Sequence, residues 1–350
     1  MSIRKAPRNI LVTGGCGFIG SAVCRYLSAD PQTHVVNLDV LTYAAEPRSL
    51  EVIKNCSNYT FVKGDINDIE LVFELLRKHK ITGVMNLAAE SHVDRSIDGP
   101  EVFLKTNVLG TYSMLQAARQ YLTEITNVSE NFRFLHVSTD EVFGDLNETD
   151  PAFDEETAYR PSSPYSASKA SSDHLVRAWG RTYDLPVLIT NCSNNYGPFQ
   201  FPEKLIPLMI INALSDKELP VYGDGSNIRD WLYVDDHAKA LELVLDNGRI
   251  GETYNIGGNS ERRNLEIVKL ICDVLDELSP RNDGQSYRKQ IKFVKDRPGH
   301  DHRYAVCSKK TENQLGWSTN FTFEEGLRET IIWYLENQAW WAPLIKRNKS

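Results

Sequence analysis

The sequence predicts an α/β fold, with a doubly wound parallel sheet and a smaller α+β lobe at the C-terminal end. Short apolar runs alternate with helical patterns through the first half of the 350 residues, as they do in βαβ units. A glycine-rich turn separates the first apolar run from the first helical pattern. After about residue 191 the alternation loosens, and prolines cluster at positions 198, 202 and 207.

The elements of the main sheet follow from these patterns. Strands within a parallel sheet are buried on both faces and are nearly continuous apolar runs, which predicts strands at 9–13, 34–39, 60–65, 83–89, 132–139 and 186–191. Helical periodicity predicts helices at 18–27, 69–80, 102–122 and 165–183. The acidic, Pro/Ser-rich residues 147–164 are predicted to form a surface loop over the site.

The second half has fewer strand patterns. Helices are predicted at 204–214, 235–245, 265–278 and 323–337. Residues 253–256 are predicted to form a strand that returns to the main sheet, and residues 340–350 a loosely held tail.

The overall composition excludes several classes of partner. The net charge of -8 argues against a nucleic-acid or anionic-membrane surface, and no apolar run approaches the roughly 18 residues of a membrane span. The N-terminus has no apolar signal core. The six cysteines are scattered without a CxxC pair, and no His/Cys/Asp spacing suggests a metal site. We therefore expect a cytoplasmic protein with reduced thiols and no metal.

The glycine-rich turn, LVTGGCGFIG at 11–20, is typical of a dinucleotide-binding loop. Gly14 permits the sharp turn, Gly17 lets the backbone approach a pyrophosphate, and Gly20 allows close packing of helix on strand. The phosphates then meet the amides at the positive end of the helix. This loop, in its strand–turn–helix context, predicts a Rossmann-type sheet.

Residues at the ends of the next strands extend this site. Asp39 ends the second strand, where a carboxylate accepts hydrogen bonds from ribose hydroxyls and repels a 2′-phosphate, which favours NAD over NADP. Asp65 and Ile66 end the third strand, where adenine binds. The segment 86–91 ends the fourth strand beside the expected cofactor ribose.

Tyr165 and Lys169 are one helical turn apart and therefore share a face of their helix. A nearby ammonium and a nicotinamide cation both favour the phenolate form of a tyrosine. Tyr165 is thus a candidate base for removing a hydroxyl proton as hydride leaves carbon, while Lys169 also holds the nicotinamide ribose.

Asp140 and Glu141 follow directly at the carboxyl end of the fifth strand, where open α/β sheets place their ligands. Neighbouring carboxyl groups in different environments can have different pKa values, so that one donates a proton and the other removes one. This pair is a candidate acid and base for eliminating water.

Several motifs in fixed order closely resemble the dTDP-glucose 4,6-dehydratases, in the NAD-dependent epimerase/dehydratase family of the extended short-chain dehydrogenase/reductase superfamily. The resemblance runs from about residue 8 to about residue 337. Its motifs are VTGGCGFIG at 12–20, AAESHVDRS at 88–96, STDEVFG at 138–144, YSASK at 165–169, NCSNNYGP at 191–198, IRDWLYV at 228–234 and DRPGH at 296–300. Thr-Asp-Glu and Asp-Arg-Pro-Gly-His are the specific parts, whereas many sugar-nucleotide epimerases and reductases share the others.

The resemblance implies a reaction in which NAD+ is recycled. Tyr165 deprotonates the C4 hydroxyl of a glucose nucleotide as its C4 hydride leaves, and Thr139 polarises the C4 oxygen. Glu141 then removes the C5 proton while Asp140 protonates the departing C6 hydroxyl. Return of the hydride to C6 gives a 4-keto-6-deoxy sugar nucleotide, the product of a hydro-lyase.

The resemblance also implies a wider set of contacts. The cofactor set is Gly14, Gly17, Phe18, Ile19, Gly20, Asp39, Thr42, Asp65, Ile66, Leu87, Ala88, Ala89, Ser91, Thr106, Tyr165, Lys169 and Asn195. Substrate contacts are expected at Ser91, Thr139, Asn194, Glu203, Leu205, Asn264, His300 and Tyr304, and phosphate-binding cations at Arg229, Lys204 and Arg297. The expected domains are an NAD-binding Rossmann domain at 1–191, with return segments near 227–260, and an interleaved sugar-nucleotide lobe at 192–350.

Three alternatives stay open at this point. The same reaction occurs on UDP-glucose, and the residues do not decide between thymidine and uridine. A UDP-sugar 4-epimerase shares the loop, Tyr165 and Lys169 but does not need the adjacent acids. A non-catalytic NAD-binding protein predicts damage to the loop, Tyr165 or Lys169, all of which are intact. A homodimer through the helices at 102–122 and 165–183 is expected by resemblance.

Overall fold

The structure is a computed structural model that describes residues 8–125, 131–296 and 299–347. Its strands are β1 Arg8–Thr13, β2 Thr33–Asp39, β3 Tyr59–Lys63, β4 Gly83–Asn86, β5 Arg133–Thr139, β6 Val187–Cys192, β7 Asn194–Tyr196, β8 Leu219–Tyr222, β9 Ile228–Tyr233, β10 Thr253–Ile256, β11 Glu261–Arg263 and β12 Ile291–Val294.

The helices alternate with these strands. They are α1 Phe18–Ser28, α2 Ile69–Lys78, α3 Val93–Asp98, α4 Pro100–Phe103, α5 Thr111–Glu124, α6 Pro164–Tyr183, α7 Leu205–Leu214, α8 Val234–Asn247, α9 Asn264–Leu278, α10 Lys309–Leu315, α11 Phe323–Glu336 and α12 Gln338–Arg347. A π-helix at Leu104–Gly110 joins α4 to α5, and a short 3-10 helix at Asp140–Val142 follows β5.

The main sheet has seven strands in the order β10-β6-β5-β4-β1-β2-β3. All of its pairings are parallel. The strand order reverses between β1 and β4, and such a reversal opens a crevice at the carboxyl ends of the strands. The predicted doubly wound sheet, including the returning strand at 253–256, is confirmed.

Apolar side chains cover both faces of this sheet. Successive residues of a strand point to opposite faces, so Ile10 and Val12 join one buried cluster whereas Leu11 joins another. The first cluster includes residues of α1 and α8, and the second includes residues of α2, α5 and α6. Helices therefore cover the sheet on either side, as expected for a doubly wound fold.

The C-terminal lobe has its own buried cluster, built from α7, α9, α11 and α12 together with β9. Two small sheets, β11-β9-β7 and β12-β8, complete it. The boundary predicted at 191 falls within β6, a strand of the main sheet, and β10 also joins that sheet. The two-domain division stays a prediction.

The predicted loose tail at 340–350 is wrong for residues 340–347, while 348–350 lie outside the described residues. Residues 340–347 belong to α12, and Trp340, Trp341 and Leu344 are buried. The Arg48 guanidinium donates to the backbone carbonyls of Ala339 at 3.0 Å and Trp340 at 2.7 Å. Packing of the indole rings outweighs the entropy of a free terminus.

Three further features concern the described chain as a whole. None of its helices is both apolar and long enough to cross a membrane. All six cysteines lie in the described part of the chain and are free thiols. The described ranges hold no group of three or more His, Cys, Asp or Glu side chains placed to hold a metal ion.

Candidate active site

A cleft of about 500 Å³ opens at the carboxyl ends of β1, β4 and β5. Every residue predicted to bind the cofactor lines it, as do Thr139, Asp140 and Glu141. Motif residues that are spread over nearly 200 positions, from Gly14 to Lys204, are therefore brought to one place. The cleft lies at the reversal of strand order, where the fold class predicts a ligand.

The glycine-rich loop adopts the geometry that a dinucleotide requires. Gly14 has a φ of +69°, and a Cβ there would lie 2.8 Å from the Ala88 Cα. A Cβ on Gly20 would lie 2.1 Å from the Gly14 carbonyl oxygen. Gly17 caps α1 without a side-chain hydrogen bond, so the first amides of the helix remain available for a phosphate.

Asp39 is positioned for a ribose. Its carboxylate accepts from the amides of Cys16 and Leu41, each at 2.8 Å. An ionised carboxylate has about four acceptor sites, so capacity remains for ribose hydroxyls. Burial raises the pKa of Asp39, and the two amides oppose that shift. The loop and this carboxylate together fit NAD.

Tyr165 is the second residue of α6, and the start of that helix is defined by its sequence. Ser163 forms a capping box with Ser166, and Pro164 stands at the first helical position. The Tyr165 amide donates to the Ser96 hydroxyl at 3.2 Å, and its ring packs edge-on against Phe103. These contacts orient the phenol toward the cleft.

The environment of Tyr165 differs from the one expected for a phenolate. Burial raises the pKa of Tyr165 well above its usual value, and the Glu141 carboxylate adds to the shift. The Thr139 hydroxyl opposes it through a hydrogen bond. A positive charge close to the phenol is therefore required before Tyr165 can act as a base.

Lys169, one turn further along α6 and in the same cleft, is the candidate for such a charge. Its side chain is buried, and its ammonium donates to the Val137 carbonyl at 2.8 Å. Burial lowers the pKa of Lys169, and the Asp173 carboxylate opposes that change.

Asp140 and Glu141 share the cleft but not an environment. The Thr139 hydroxyl caps the 3-10 helix by accepting from the Glu141 amide at 3.3 Å, and it lies 3.2 Å from Asp140 Oδ1. Burial raises the pKa of Asp140 well above its usual value, and the Glu141 and Asp230 carboxylates add to that effect. Asp140 is therefore suited to hold a proton, as a general acid must.

The far side of the cleft carries polar groups of the C-terminal lobe. The Asn195 amide accepts from the His237 ring at 2.9 Å and donates to the Ser193 carbonyl at 2.9 Å. Asn194 Oδ1 and Asp140 Oδ2 are buried and have no hydrogen-bond partner within the described chain. Buried polar atoms without partners are costly, so both are suited to contact a bound ligand.

Glu203 and Lys204 line the entrance of the same cleft. Glu203 accepts from the Tyr43 hydroxyl at 3.0 Å, and burial raises its pKa. The Lys204 ammonium donates to the Ser91 carbonyl at 3.3 Å. These contacts join the two lobes across the opening.

The remaining predicted substrate contacts do not line this cleft. They are Leu205, Arg229, Asn264, His300 and Tyr304. The Arg229 guanidinium stacks over the Tyr304 ring at 4.3 Å and donates to the carbonyls of Asp301 and His302. Arg229 thus ties the 301–304 segment to β9, and its predicted role toward phosphate stays a prediction. Arg297 lies outside the described residues.

Some residues that line the cleft were not predicted from the sequence. Among them are Ala44, Lys105, Gln200 and Phe201. No motif carries them, because their positions depend on the π-helix and on the approach of the two lobes. Asn107, in the π-helix, illustrates this, since its side chain bonds both the amide and the carbonyl of Glu90, at 2.9 and 3.0 Å.

Comparisons with known proteins agree with this geometry. The dTDP-glucose 4,6-dehydratase 1 of Escherichia coli K12 is 56% identical over 340 residues, which cover 95% of this chain and 94% of the relative. The dTDP-glucose 4,6-dehydratase DesIV of Streptomyces venezuelae, solved with NAD bound, superposes with a TM-score of 0.87 at 44% identity, covering 96% of this chain and 99% of that chain.

An epimerase has a similar fold at lower identity. The UDP-glucose 4-epimerase of Thermotoga maritima has a TM-score of 0.83 and is 28% identical, covering 94% of this chain and 99% of that chain. The family described as GDP-mannose 4,6 dehydratase matches residues 11–330. The chain therefore belongs to the GDP-mannose 4,6 dehydratase family, together with the dTDP-glucose 4,6-dehydratases that it matches over nearly their full length.

Proposed function

We propose that this chain is a hydro-lyase that converts dTDP-glucose to dTDP-4-keto-6-deoxyglucose and water, with NAD as a recycled cofactor. The observation that carries the proposal is the adjacent pair Asp140 and Glu141, which lines the same cleft as Tyr165 and the dinucleotide loop. The relatives of like name, matched over nearly their full length, support it.

The oxidation of C4 depends on Tyr165. The phenol oxygen takes the proton of the C4 hydroxyl, while Lys169 supplies positive charge and the Thr139 hydroxyl donates to the C4 oxygen. NAD, when bound by the glycine loop and Asp39, accepts the hydrogen of C4 as hydride and gives it back at C6. Positive charge near the ring lowers the pKa of the phenol, so Tyr165 becomes basic only in the loaded site.

The elimination of water depends on the two acids. A carbonyl at C4 acidifies the C5 hydrogen, and the partly exposed Glu141 carboxylate removes it as a proton. The C5–C6 double bond forms as the C6 hydroxyl leaves with a proton from Asp140. The hydride enters at C6 and the proton held by Glu141 returns to C5. Exchange with solvent then moves the proton gained by Tyr165 to Asp140, so that one water is lost and the sugar undergoes no net oxidation.

The 4-epimerase is the second candidate within this fold. It needs C4 oxidation and reduction but no removal of water, so Asp140 would have no task. The high pKa of Asp140, caused first by burial, is a costly feature that the elimination uses and an epimerase does not. The intact loop, Tyr165 and Lys169 argue against a non-catalytic NAD-binding protein.

One experiment tests the proposal. The purified protein is incubated separately with dTDP-glucose and UDP-glucose, and the products are examined by mass and by the absorbance of the ketone in alkali. We expect loss of one water from dTDP-glucose, and no loss in the Asp140→Asn/Glu141→Gln double variant. An epimerised product of unchanged mass contradicts the proposal, and a preference for UDP-glucose corrects the nucleotide.

We also propose that the chain forms a homodimer. Leu104, Leu109, Tyr112 and Tyr183 are between 36% and 55% exposed on the π-helix, α5 and α6. Large apolar side chains clustered on a surface are typical of protein interfaces. The cytoplasmic location expected from the sequence stays a prediction.

A further inference from the structure

A buried polar network lies directly behind Lys169. Asp173 follows Lys169 by one turn of α6 and is 0% exposed, and His136 on β5 is 1% exposed. His136 Nε2 lies 3.5 Å from the Lys169 ammonium and 3.4 Å from Asp173 Oδ1. The imidazole therefore sits between the ammonium and the carboxylate.

The Asp173 carboxylate is held from several elements. Its Oδ2 accepts from the Ser138 hydroxyl at 2.8 Å and from the Tyr159 hydroxyl at 2.9 Å. Arg177 donates to that same Tyr159 hydroxyl at 2.8 Å. Burial alone raises the pKa of Asp173, but the neighbouring His136, Lys169 and Arg177 outweigh it and lower the pKa. Asp173 is thus an anion in the protein interior.

The proton on His136 can be assigned from its neighbours. The Thr13 hydroxyl lies 2.7 Å from Asn86 Oδ1, so the Asn86 amide nitrogen faces His136 Nδ1 at 3.2 Å. Nδ1 is therefore an acceptor, and the neutral ring carries its proton on Nε2, which lies 3.1 Å from the Ser172 hydroxyl and 3.4 Å from Asp173 Oδ1. Burial, with help from Lys169, lowers the pKa of His136 to about 4, so the ring is uncharged at neutral pH.

These observations leave Asp173 as the anion that balances Lys169. A buried ammonium without a nearby anion loses its proton. The neutral His136 ring cannot supply a charge, and the Val137 carbonyl supplies only a dipole. The titratable groups that face the ammonium from the surrounding elements are Asp173, His136 and Cys192.

We propose that Asp173, held by the Ser138 and Tyr159 hydroxyls beside the His136 ring, is a positioning residue that keeps Lys169 charged and thereby makes Tyr165 basic. The inference rests on the proposed roles of Tyr165 and Lys169. It assigns a task to two side chains that the reaction itself does not use. Neither residue touches the substrate in this account, and both act through Lys169.

The sign of the effect distinguishes this role from a direct one. A carboxylate acting directly on Tyr165 repels the phenolate, so its removal lowers the pKa of Tyr165. Removal of a carboxylate that keeps Lys169 protonated instead raises the pKa of Tyr165, because the phenolate loses its neighbouring cation. The other groups that act on Tyr165 are Glu141, Cys192, Thr139 and Asp140, and they are unchanged in the comparison.

The test is an ultraviolet titration of Tyr165 in the NAD-bound protein, without substrate. The tyrosinate absorbance of each protein is compared with that of its Tyr165→Phe counterpart, over the pH range where circular dichroism shows folded protein. We expect Asp173→Asn to raise the midpoint by about one pH unit or more, and Asp184→Asn, at the exposed end of the same helix, to leave it in place. An unchanged or lowered midpoint in Asp173→Asn overturns the proposal.

Two further variants test whether the effect depends on Lys169 and provide a second way to remove the Asp173 charge. In a Lys169→Met background, Asp173→Asn should no longer raise the midpoint, and a rise of equal size there contradicts a role through Lys169. Asp173→Ser, which removes the charge and leaves room for water, gives the same expected rise where Asp173→Asn does not fold. Because no sugar is present, the outcome of the titration does not depend on whether the protein catalyses the dehydratase reaction.

Discussion

Asp140 is 2% exposed, whereas Glu141, the next residue, is only partly buried and lines the same cleft. The 3-10 helix that begins at Asp140 turns the two carboxyl groups into different surroundings. Burial then raises the pKa of Asp140 and favours its protonated form. A pair of acids that are adjacent in sequence can therefore supply one proton donor and one proton acceptor.

This division of roles predicts different defects for two isosteric variants. Glu141→Gln should retain slow C4 oxidation but lose exchange of the C5 hydrogen with solvent deuterium, because the base is absent. Asp140→Asn should retain that exchange and lose release of water by about a hundredfold or more. Proton NMR of the sugar measures both. Undiminished C5 exchange in Glu141→Gln would show that Glu141 is not the base.

Tyr165→Phe should suppress the reduction of bound cofactor by dTDP-glucose by about a hundredfold to ten-thousandfold, because the C4 proton has no acceptor. The absorbance of reduced nicotinamide in a single turnover measures this. Tyr26→Phe is the matched control, since Tyr26 lies on α1, is 37% exposed and does not line the cleft. Reduction at the normal rate in Tyr165→Phe would assign the base elsewhere.

His237 predicts a loss of stability in acid. It is fully buried, and burial lowers its pKa to about 3. The unfolded chain binds this proton first, so the free energy of unfolding falls as pH falls below the usual histidine value, by about 2 kcal/mol between pH 7 and pH 5.

Urea denaturation of wild type and His237→Asn at both pH values measures this contribution. The asparagine amide can replace the ring nitrogen that donates to Asn195. We expect a smaller loss of stability on acidification in the variant. An equal loss in both proteins would mean that other groups cause the acid sensitivity.

The apolar surface on the π-helix and its neighbours predicts a dimer that a charge can break. Leu109 is 55% exposed, and Leu109→Glu should shift the protein toward monomer in sedimentation-velocity experiments, because a buried unpaired carboxylate opposes association. Val52→Glu, at a residue that is 75% exposed elsewhere, is the control and should sediment as wild type does. A wild-type monomer contradicts the dimer outright.

Local patterns in the sequence were sufficient to predict the main sheet, and the residues predicted to bind the cofactor line one cleft. Strand periodicity, the glycine turn and the Tyr165–Lys169 spacing each depend on residues close in sequence, and the structure agrees with them. The predicted loose tail was wrong because α12 is held by Arg48, nearly 300 residues away. Contacts of that separation leave no local periodicity.

Only one part of the polar network behind Lys169 could be predicted from the sequence. Asp173 lies four residues after Lys169, a spacing that places it on the same helix face. Nothing in the sequence pairs Asp173 with His136 or with Tyr159, because those contacts arise only when β5 and the 147–164 loop pack against α6. The predicted phosphate-binding cations stay predictions: Lys204 lines the cleft, whereas the donors of Arg229 reach backbone carbonyls.

The most direct test of the central claim follows one hydrogen through the reaction. The protein is incubated with dTDP-glucose carrying deuterium at C4, and the product is examined by NMR. We predict that the label appears in the C6 methyl group of a 4-keto sugar, because the hydrogen leaves C4 and returns at C6 after water is lost. Deuterium that stays at C4, in a sugar of unchanged mass, would contradict the dehydratase and leave only a 4-epimerase-like oxidation and reduction.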